Sequence, residues 1–394
     1  MSFHVFKILL TALILIHCAS IYANEKLDYW NQQRKGANGM DWYEPETWMK
    51  AASETGIEVV RISPASWPSD SRDPLLGNAD EYTALDQNDL AKLIQVLDYA
   101  DQYGVKVVIT MFSLPGVRWS QHNDDKFDYR LWHDDKYLKQ ACAFWQDMAK
   151  ALKDHRAVVG YNPLNEPHPA REYQFEDNRD GLFELWYKTH KDTTADLNRF
   201  NRTMIKAIRE IDAYTPIVLD GWFHAVPKGI EFVEPIDDKA LIYSFHVYEP
   251  WIFTTLRVNK ERFSYPDAMP AEDGESTEAW EIKNLTNRIQ PVVDWAKKHN
   301  IPANRIWASE FGCDRRVKGA QQYFTDLISI LNKNDWHWAF YSYRAVDWDG
   351  MDYELGTEKM GWKYWEAIEA GKHPESLKTR EDNPLWNVIQ RELK

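Results

Sequence analysis

Gly160-Tyr161-Asn162-Pro163-Leu164-Asn165-Glu166-Pro167-His168 reads as a buried strand running into a short polar loop, and it sets an amide and a carboxyl side by side. Pro163 and Pro167 bracket that pair. Proline fixes its own φ and turns the residue before it away from the helical region, so Glu166 is expected to be held in place. A held carboxyl suits proton transfer, but hydrolysis of a stable bond needs a partner from elsewhere in the chain.

On either side of this stretch, short apolar runs alternate with amphipathic helical stretches, and no Pro/Gly/Ser-rich linker or internal repeat divides the chain. Strands are expected at Lys35 to Asn38, Ile57 to Ile62, Val105 to Met111, Val158 to Leu164, Pro216 to Asp220, Leu241 to Val247, Ile306 to Glu310 and Trp338 to Arg344. Between them, helices are expected at Pro45 to Thr55, Gln87 to Tyr103, Lys136 to Asp154 and Thr277 to His299, with a last one at Pro384 to Glu392. Gly56 and Gly104 are placed as left-handed stops. The acidic loop from Ala271 to Glu275 reads as a solvated excursion. Eight strand-helix units predict an α/β fold of one domain, a (β/α)8 TIM barrel over residues 24–394.

Composition narrows the partners. The 394 residues carry a formal charge of −14, which argues against nucleic acid, whose phosphates call for a basic surface. A hydrophobic fraction of 44% suits a packed core. The 19 tryptophans serve either that core or the stacking of flat rings on sugars. Residues 1–23 show Lys7, the apolar run Ile8 to Ile16, then Cys18-Ala19-Ser20 and a cleavage position after Ala23, the pattern of a secretory signal peptide. That run is short for a bilayer span, so a secreted or periplasmic protein without stable membrane insertion is expected. Cys142 and Cys313 are far apart, without metal-like spacing; they either form a disulfide or, as expected here, are two free buried thiols.

In a barrel of this kind functional groups gather at the C-terminal ends of the strands, and Arg61, Asn165, Glu166, His246, Tyr248 and Glu310 all fall there. Packing accounts for any one of them singly: a rim ion pair, a hydrogen-bonded core histidine, a carboxylate near a helix start. It does not select polar groups at the same end of successive strands. Glu166 and Glu310 end the fourth and seventh strands, nearly opposite one another, and two opposed carboxyls are what glycoside hydrolysis requires.

Leu164-Asn165-Glu166-Pro167 and Ser309-Glu310-Phe311-Gly312, with Arg61 and the His246-Val247-Tyr248 triplet, resemble the motifs of glycoside hydrolase family 5, the cellulase family, over Lys35 to Gly361. The resemblance implies a retaining β-glycosidase acting on a β-linked polysaccharide or oligosaccharide. Glu310 would be the nucleophile, Glu166 the acid/base, and Asn165 the group that binds the sugar 2-hydroxyl. The two carboxyls would lie about 5 to 5.5 Å apart. Two departures stand out. The family's third-strand histidine aligns with Phe112, leaving His122 further along the loop as its replacement, and Tyr341 or Trp348 stands in for the eighth-strand tryptophan as sugar platform.

Alternatives are an inactive carbohydrate-binding barrel, or a family member with β-mannanase or exo-β-glucosidase specificity. A metal-dependent barrel would show His-x-His or His-Glu-x-x-His, and the sequence has neither. Gly-x-Ser-x-Gly and phosphate-binding glycine loops are missing too, so no metal or cofactor is expected. The segment Arg171 to Asn198, rich in charge and aromatic rings, is either a wall of the cleft or a packed surface subdomain.

Overall fold

A computed structural model of the chain describes residues 25–39, 42–175, 181–271, 275–345 and 349–394. The expected leader, the centre of the acidic loop and Trp348 lie outside the described residues. Among those described, eight parallel strands close into a barrel: β1 Lys35–Gly39, β2 Val59–Ile62, β3 Lys106–Thr110, β4 Val158–Asn162, β5 Ile217–Asp220, β6 Leu241–Val247, β7 Ile306–Phe311 and β8 His337–Tyr343. Each strand pairs with its neighbours in sequence, and β8 pairs with β1 to complete the circle. This is the (β/α)8 architecture expected.

Side-chain alternation decides what faces inward. In β6, Leu241, Tyr243, Phe245 and Val247 join the apolar layer shared with the helices, so Ile242, Ser244 and His246 face the barrel axis. Likewise Val60 and Ile62 of β2 point outward, Val59 points inward, and Arg61 follows Val59. The inner layer of Val59, Val108, Val159, Val218, Ile242, Trp307 and Ala339 is packed against Trp30 of the turn Tyr29–Asn31. The Trp30 indole donates to the Val159 carbonyl at 3.0 Å, and its ring is fully buried. With its N-terminal end filled by apolar groups, the barrel has room for polar side chains at the opposite end.

The helix Pro45–Thr55 begins on its proline and ends at Gly56, whose φ of 97° is open to glycine at little cost. Asp86 caps the helix Gln87–Tyr103 by accepting from the backbone of Asn88 and Asp89, and Gly104 closes it in the left-handed region. The expected helix Thr277 to His299 needs correction. Thr277–Trp280 is a strand, paired antiparallel with Asp267–Pro270, and the helix runs Ile282–His299. Trp280 is buried beneath this hairpin.

The insert beyond Arg171 is packed on its own aromatic cluster. Phe183 of the helix Leu182–His190 is fully buried, its ring centroid 4.7 Å from those of Phe223 and Phe232. Many of the tryptophans belong to the core, among them Trp145, Trp222, Trp307 and Trp338, whereas Trp251, Trp362 and Trp365 are exposed. Cys142 and Cys313 are both free thiols, as expected, but only Cys313 is buried; Cys142 is half-buried. No helix among the described residues is long and apolar enough to cross a membrane.

Candidate functional site

At the C-terminal end of the barrel, Arg61 is the hub. Its side chain is 1% exposed, and its guanidinium donates to Glu310 Oε1 at 2.5 Å, Asn165 Oδ1 at 2.7 Å, Asn38 Oδ1 at 3.2 Å and twice to Asn162 Oδ1, at 2.6 and 3.0 Å. Asp220 Oδ2 lies 3.5 Å away. A guanidinium is a planar fork of five N–H donors with no accessible neutral form, so this ring of acceptors fixes the orientation of every residue it touches. Removing it would strand two buried carboxylates.

Glu310 is positioned by a bulge. Phe245 pairs with Ala308, but His246 pairs with Glu310, so Ser309 is the extra residue in β7 and lies beside Glu310 on the inner side. Ser309 Oγ then meets His246 Nε2 at 3.0 Å and Ser244 Oγ at 2.5 Å. The other Glu310 oxygen accepts from the Tyr248 hydroxyl at 2.8 Å. Accepting at both oxygens is what an ionised carboxylate does. Burial, then the Glu310 carboxylate and the Tyr341 phenol, push the Tyr248 hydroxyl well above its ordinary value, so it remains a donor.

Glu166 sits at a φ of 48°, uncommon for a residue with a side chain, and its backbone N–H donates to Asp220 Oδ2 at 3.1 Å. The expectation that this residue is held is met, although the fixing partner is Asp220 as much as the prolines. Its carboxyl meets His246 Nδ1 at 2.8 Å and keeps 18% exposure, against 6% for Glu310. Burial raises the Glu166 pKa and the nearby Glu310 carboxylate adds to that, while the His246 contact acts the other way. His246 is also shifted upward: burial opposes its charge, but Glu310, Asp220 and Glu166 outweigh it. One oxygen each of Glu166 and Glu310 and a ring nitrogen of His246 lie within 4.8 Å of one another.

Arg61, Asn165, Glu166, His246, Tyr248 and Glu310 are thus brought into one site. Tyr341 joins them from β8, near Tyr248, its peptide bond to Ser342 being cis. His122 does not. It is exposed on the turn Ser120–His122 and takes no part in this hydrogen-bond network. Phe112 instead turns toward a cavity beside Glu166, its ring centroid 5.0 Å from that of Trp119. Asn38, Asn162 and Asp220 are the members that sequence reasoning passed over. All three are polar residues at or near the ends of barrel strands, the same signal that identified Arg61 and Glu310.

The chain matches the profile of the cellulases, glycosyl hydrolase family 5, over residues 25–347. It is 22% identical to endoglucanase C of Acetivibrio thermocellus over 339 residues, 78% of this chain and 86% of the relative. Endoglucanase A of Ruminococcus albus is 23% identical over 342 residues, covering 82% and 79%. Among solved structures, a hyperthermophilic endo-β-1,4-glucanase in complex with substrate superposes with a TM-score of 0.61 at 19% identity, over 93% of this chain and 99% of that one. With its closed barrel and the polar cluster at its C-terminal mouth, the chain belongs to glycosyl hydrolase family 5 and is a glycosidase that hydrolyses β-glycosidic bonds.

Proposed function

We propose that the enzyme cleaves a β-1,4-linked glucan with retention of anomeric configuration, Glu310 acting as nucleophile and Glu166 as acid/base. The observation that carries this reading is the closeness of the two carboxyls, an oxygen of each within 4.8 Å. Retaining glycosidases hold the pair about 5–5.5 Å apart, whereas inverting ones leave about 6.5–9.5 Å for a water. The names of the relatives, endoglucanases, support glucan as the substrate class.

In the first step a Glu310 oxygen attacks the anomeric carbon, while Glu166 gives its proton to the departing glycosidic oxygen. Arg61 and Tyr248 steer the attacking carboxylate through the hydrogen bonds already described. In the second step Glu166 takes a proton from water, which then breaks the glycosyl-Glu310 ester. Once Glu310 is esterified it carries no charge, the repulsion that helped to hold a proton on Glu166 is gone, and the same group becomes a base. Asn165, fixed by Arg61, is the candidate for the sugar 2-hydroxyl, and Tyr341 for the ring platform.

A panel of carboxymethylcellulose, glucomannan, mixed-linkage glucan and laminarin tests the substrate. Short oligosaccharides are expected from the β-1,4-linked glucans, and activity confined to laminarin, a β-1,3-glucan, would overturn the β-1,4 assignment. We also propose that residues 1–23 direct export, on the strength of their n-, h- and cleavage-region pattern. The exported protein should then begin at Asn24 by N-terminal sequencing, and an intact Met1 would refute it.

A further inference from the structure

Behind the Glu166 contact of His246 runs a chain of hydroxyls. Ser309, turned inward by the bulge in β7, sets its Oγ 3.0 Å from His246 Nε2, and Ser244 of β6 sets its own 2.5 Å from Ser309 Oγ. Ser244, Ser309 and His246 are all buried, which keeps bulk solvent from these contacts. On the other side of the ring, Nδ1 meets Glu166 Oε1 at 2.8 Å and lies 3.7 Å from Glu310 Oε2. In an imidazole, the hydrogen bond made by one nitrogen decides which of the two carries the proton. Asp220 Oδ2, the oxygen that accepts the Glu166 backbone N–H, is 3.7 Å from Nε2. A bare Nε2 would aim its lone pair at that oxygen. An Nε2–H is attracted to it and donates to Ser309, whose own hydroxyl is free to turn to Ser244.

We propose that Ser309, backed by Ser244, is a positioning residue that keeps one proton on His246 Nε2, so that the second proton, shared between Nδ1 and Glu166, is the one the reaction moves. In the first step that shared proton passes to the departing glycosidic oxygen, leaving the Glu166 carboxylate against an Nδ1 with no hydrogen. Two lone pairs then face each other across the contact, and Glu166 relieves this by taking a proton from the attacking water. The Nε2 proton stays in place, so the pair ends each turnover with the protons it began with. The opposite tautomer, with its hydrogen on Nδ1, would donate to the Glu166 carboxylate and make it a weaker base. The charged and titratable groups around the pair are Glu310 of β7, Asp220 of β5, Arg61 of β2, Tyr248 after β6 and His224 from the loop after β5. Burial, then Arg171 and His246, push His224 down to about 4, Tyr248 is raised far above its ordinary value, and Arg61 keeps its charge. An alkaline limb of the pH profile is therefore left to Glu166 and His246. The assignment rests on the acid/base role of Glu166 proposed above.

Ser309→Ala should move the alkaline limb of kcat/KM on cellotriose to lower pH by about 0.5–1 unit, the scale of one hydrogen bond, because the Nδ1–H tautomer then competes. Ser309→Thr keeps the hydroxyl and should leave the limb at its wild-type pH. A merely structural role would reduce the active fraction without moving the limb. An unmoved limb in Ser309→Ala would therefore overturn the proposal, as would an equal displacement in both variants. Neutron diffraction from crystals of the wild type reads the same proton without a substitution. Deuterium is expected on Nε2, directed at Ser309 Oγ, and a bare Nε2 accepting from the Ser309 hydroxyl would overturn the assignment. An alkaline limb that survives in Glu166→Ala on a dinitrophenyl glycoside would instead bring down the acid/base reading on which the inference depends.

Discussion

Glu310→Ala should abolish hydrolysis of cello-oligosaccharides, with kcat falling by about four to six orders of magnitude, the scale seen when a covalent nucleophile is removed. Among the described residues, no other carboxylate in the site is placed to replace it. Asp220 is beneath the Arg61 guanidinium at 3.5 Å, its side chain is fully buried, and one of its oxygens holds the Glu166 backbone. Azide, small enough for the space the side chain vacates, should restore turnover of an activated aryl β-glycoside and give the α-glycosyl azide by direct displacement. Because alanine also deprives Arg61 of a partner in a buried ion pair, the protein should lose stability, by about 3–5 kcal/mol if nothing compensates. Glu310→Gln keeps a hydrogen-bond acceptor and serves as the control for folding. Residual activity above about 1% in both variants, measured on protein shown to be folded, would remove Glu310 from the nucleophile role.

Glu166→Ala should show a different pattern. A sugar leaving group needs a proton as the bond breaks, and general acid catalysis contributes about 10²- to 10⁴-fold, so kcat/KM on cellotriose should fall by that amount. A 2,4-dinitrophenyl glycoside leaves unaided, and its kcat/KM should stay close to that of the wild type. Deglycosylation is slowed in either case, and azide should accelerate it to give the β-glycosyl azide. The pH profile follows from the same residue. Glu166 works in its protonated form, and burial with the Glu310 charge raises its pKa above the ordinary 4.5. Activity should therefore persist through the ordinary carboxylate range and decline only as pH passes the raised value. Since Glu166 shares a 2.8 Å contact with His246, whose pKa is also raised, that alkaline limb belongs to the pair. In the Glu166→Ala variant it should disappear for the dinitrophenyl substrate. Uniform loss across leaving groups would contradict the assignment.

Much of the fold was legible because local rules and the barrel agree. The strand Leu241–Val247 and the helices Pro45–Thr55 and Gln87–Tyr103 have the bounds their patterns predict, and the glycine stops are real. Polar residues at strand ends led directly to Arg61, Glu166, His246 and Glu310. Asp220 ends Ile217-Val218-Leu219-Asp220 with the same signal, but its part as an anchor for the Glu166 backbone arises only when the fourth and fifth strands are side by side. The bulge at Ser309 was hidden for the same reason, since register belongs to a pair of strands and not to one. Thr277–Trp280 reads as the start of an amphipathic helix, yet only Trp280 in that stretch is buried, and the hairpin with Asp267–Pro270 prevails. For His122, the loop between β3 and the helix Asp135–Leu152 decides: it carries that ring to solvent and turns Phe112 and Trp119 toward the cavity. Loop paths of this length depend on tertiary contacts that periodicity does not encode.

Glu166 and Glu310 are proposed as an acid/base and nucleophile pair set for double displacement. Proton NMR of the wild-type enzyme acting on an aryl β-cellobioside, recorded before mutarotation, reads the anomer released first. The β-anomer should appear first and the α-anomer only as mutarotation proceeds. Initial release of the α-anomer would mean direct displacement by water and would contradict the assignment of Glu310 as nucleophile.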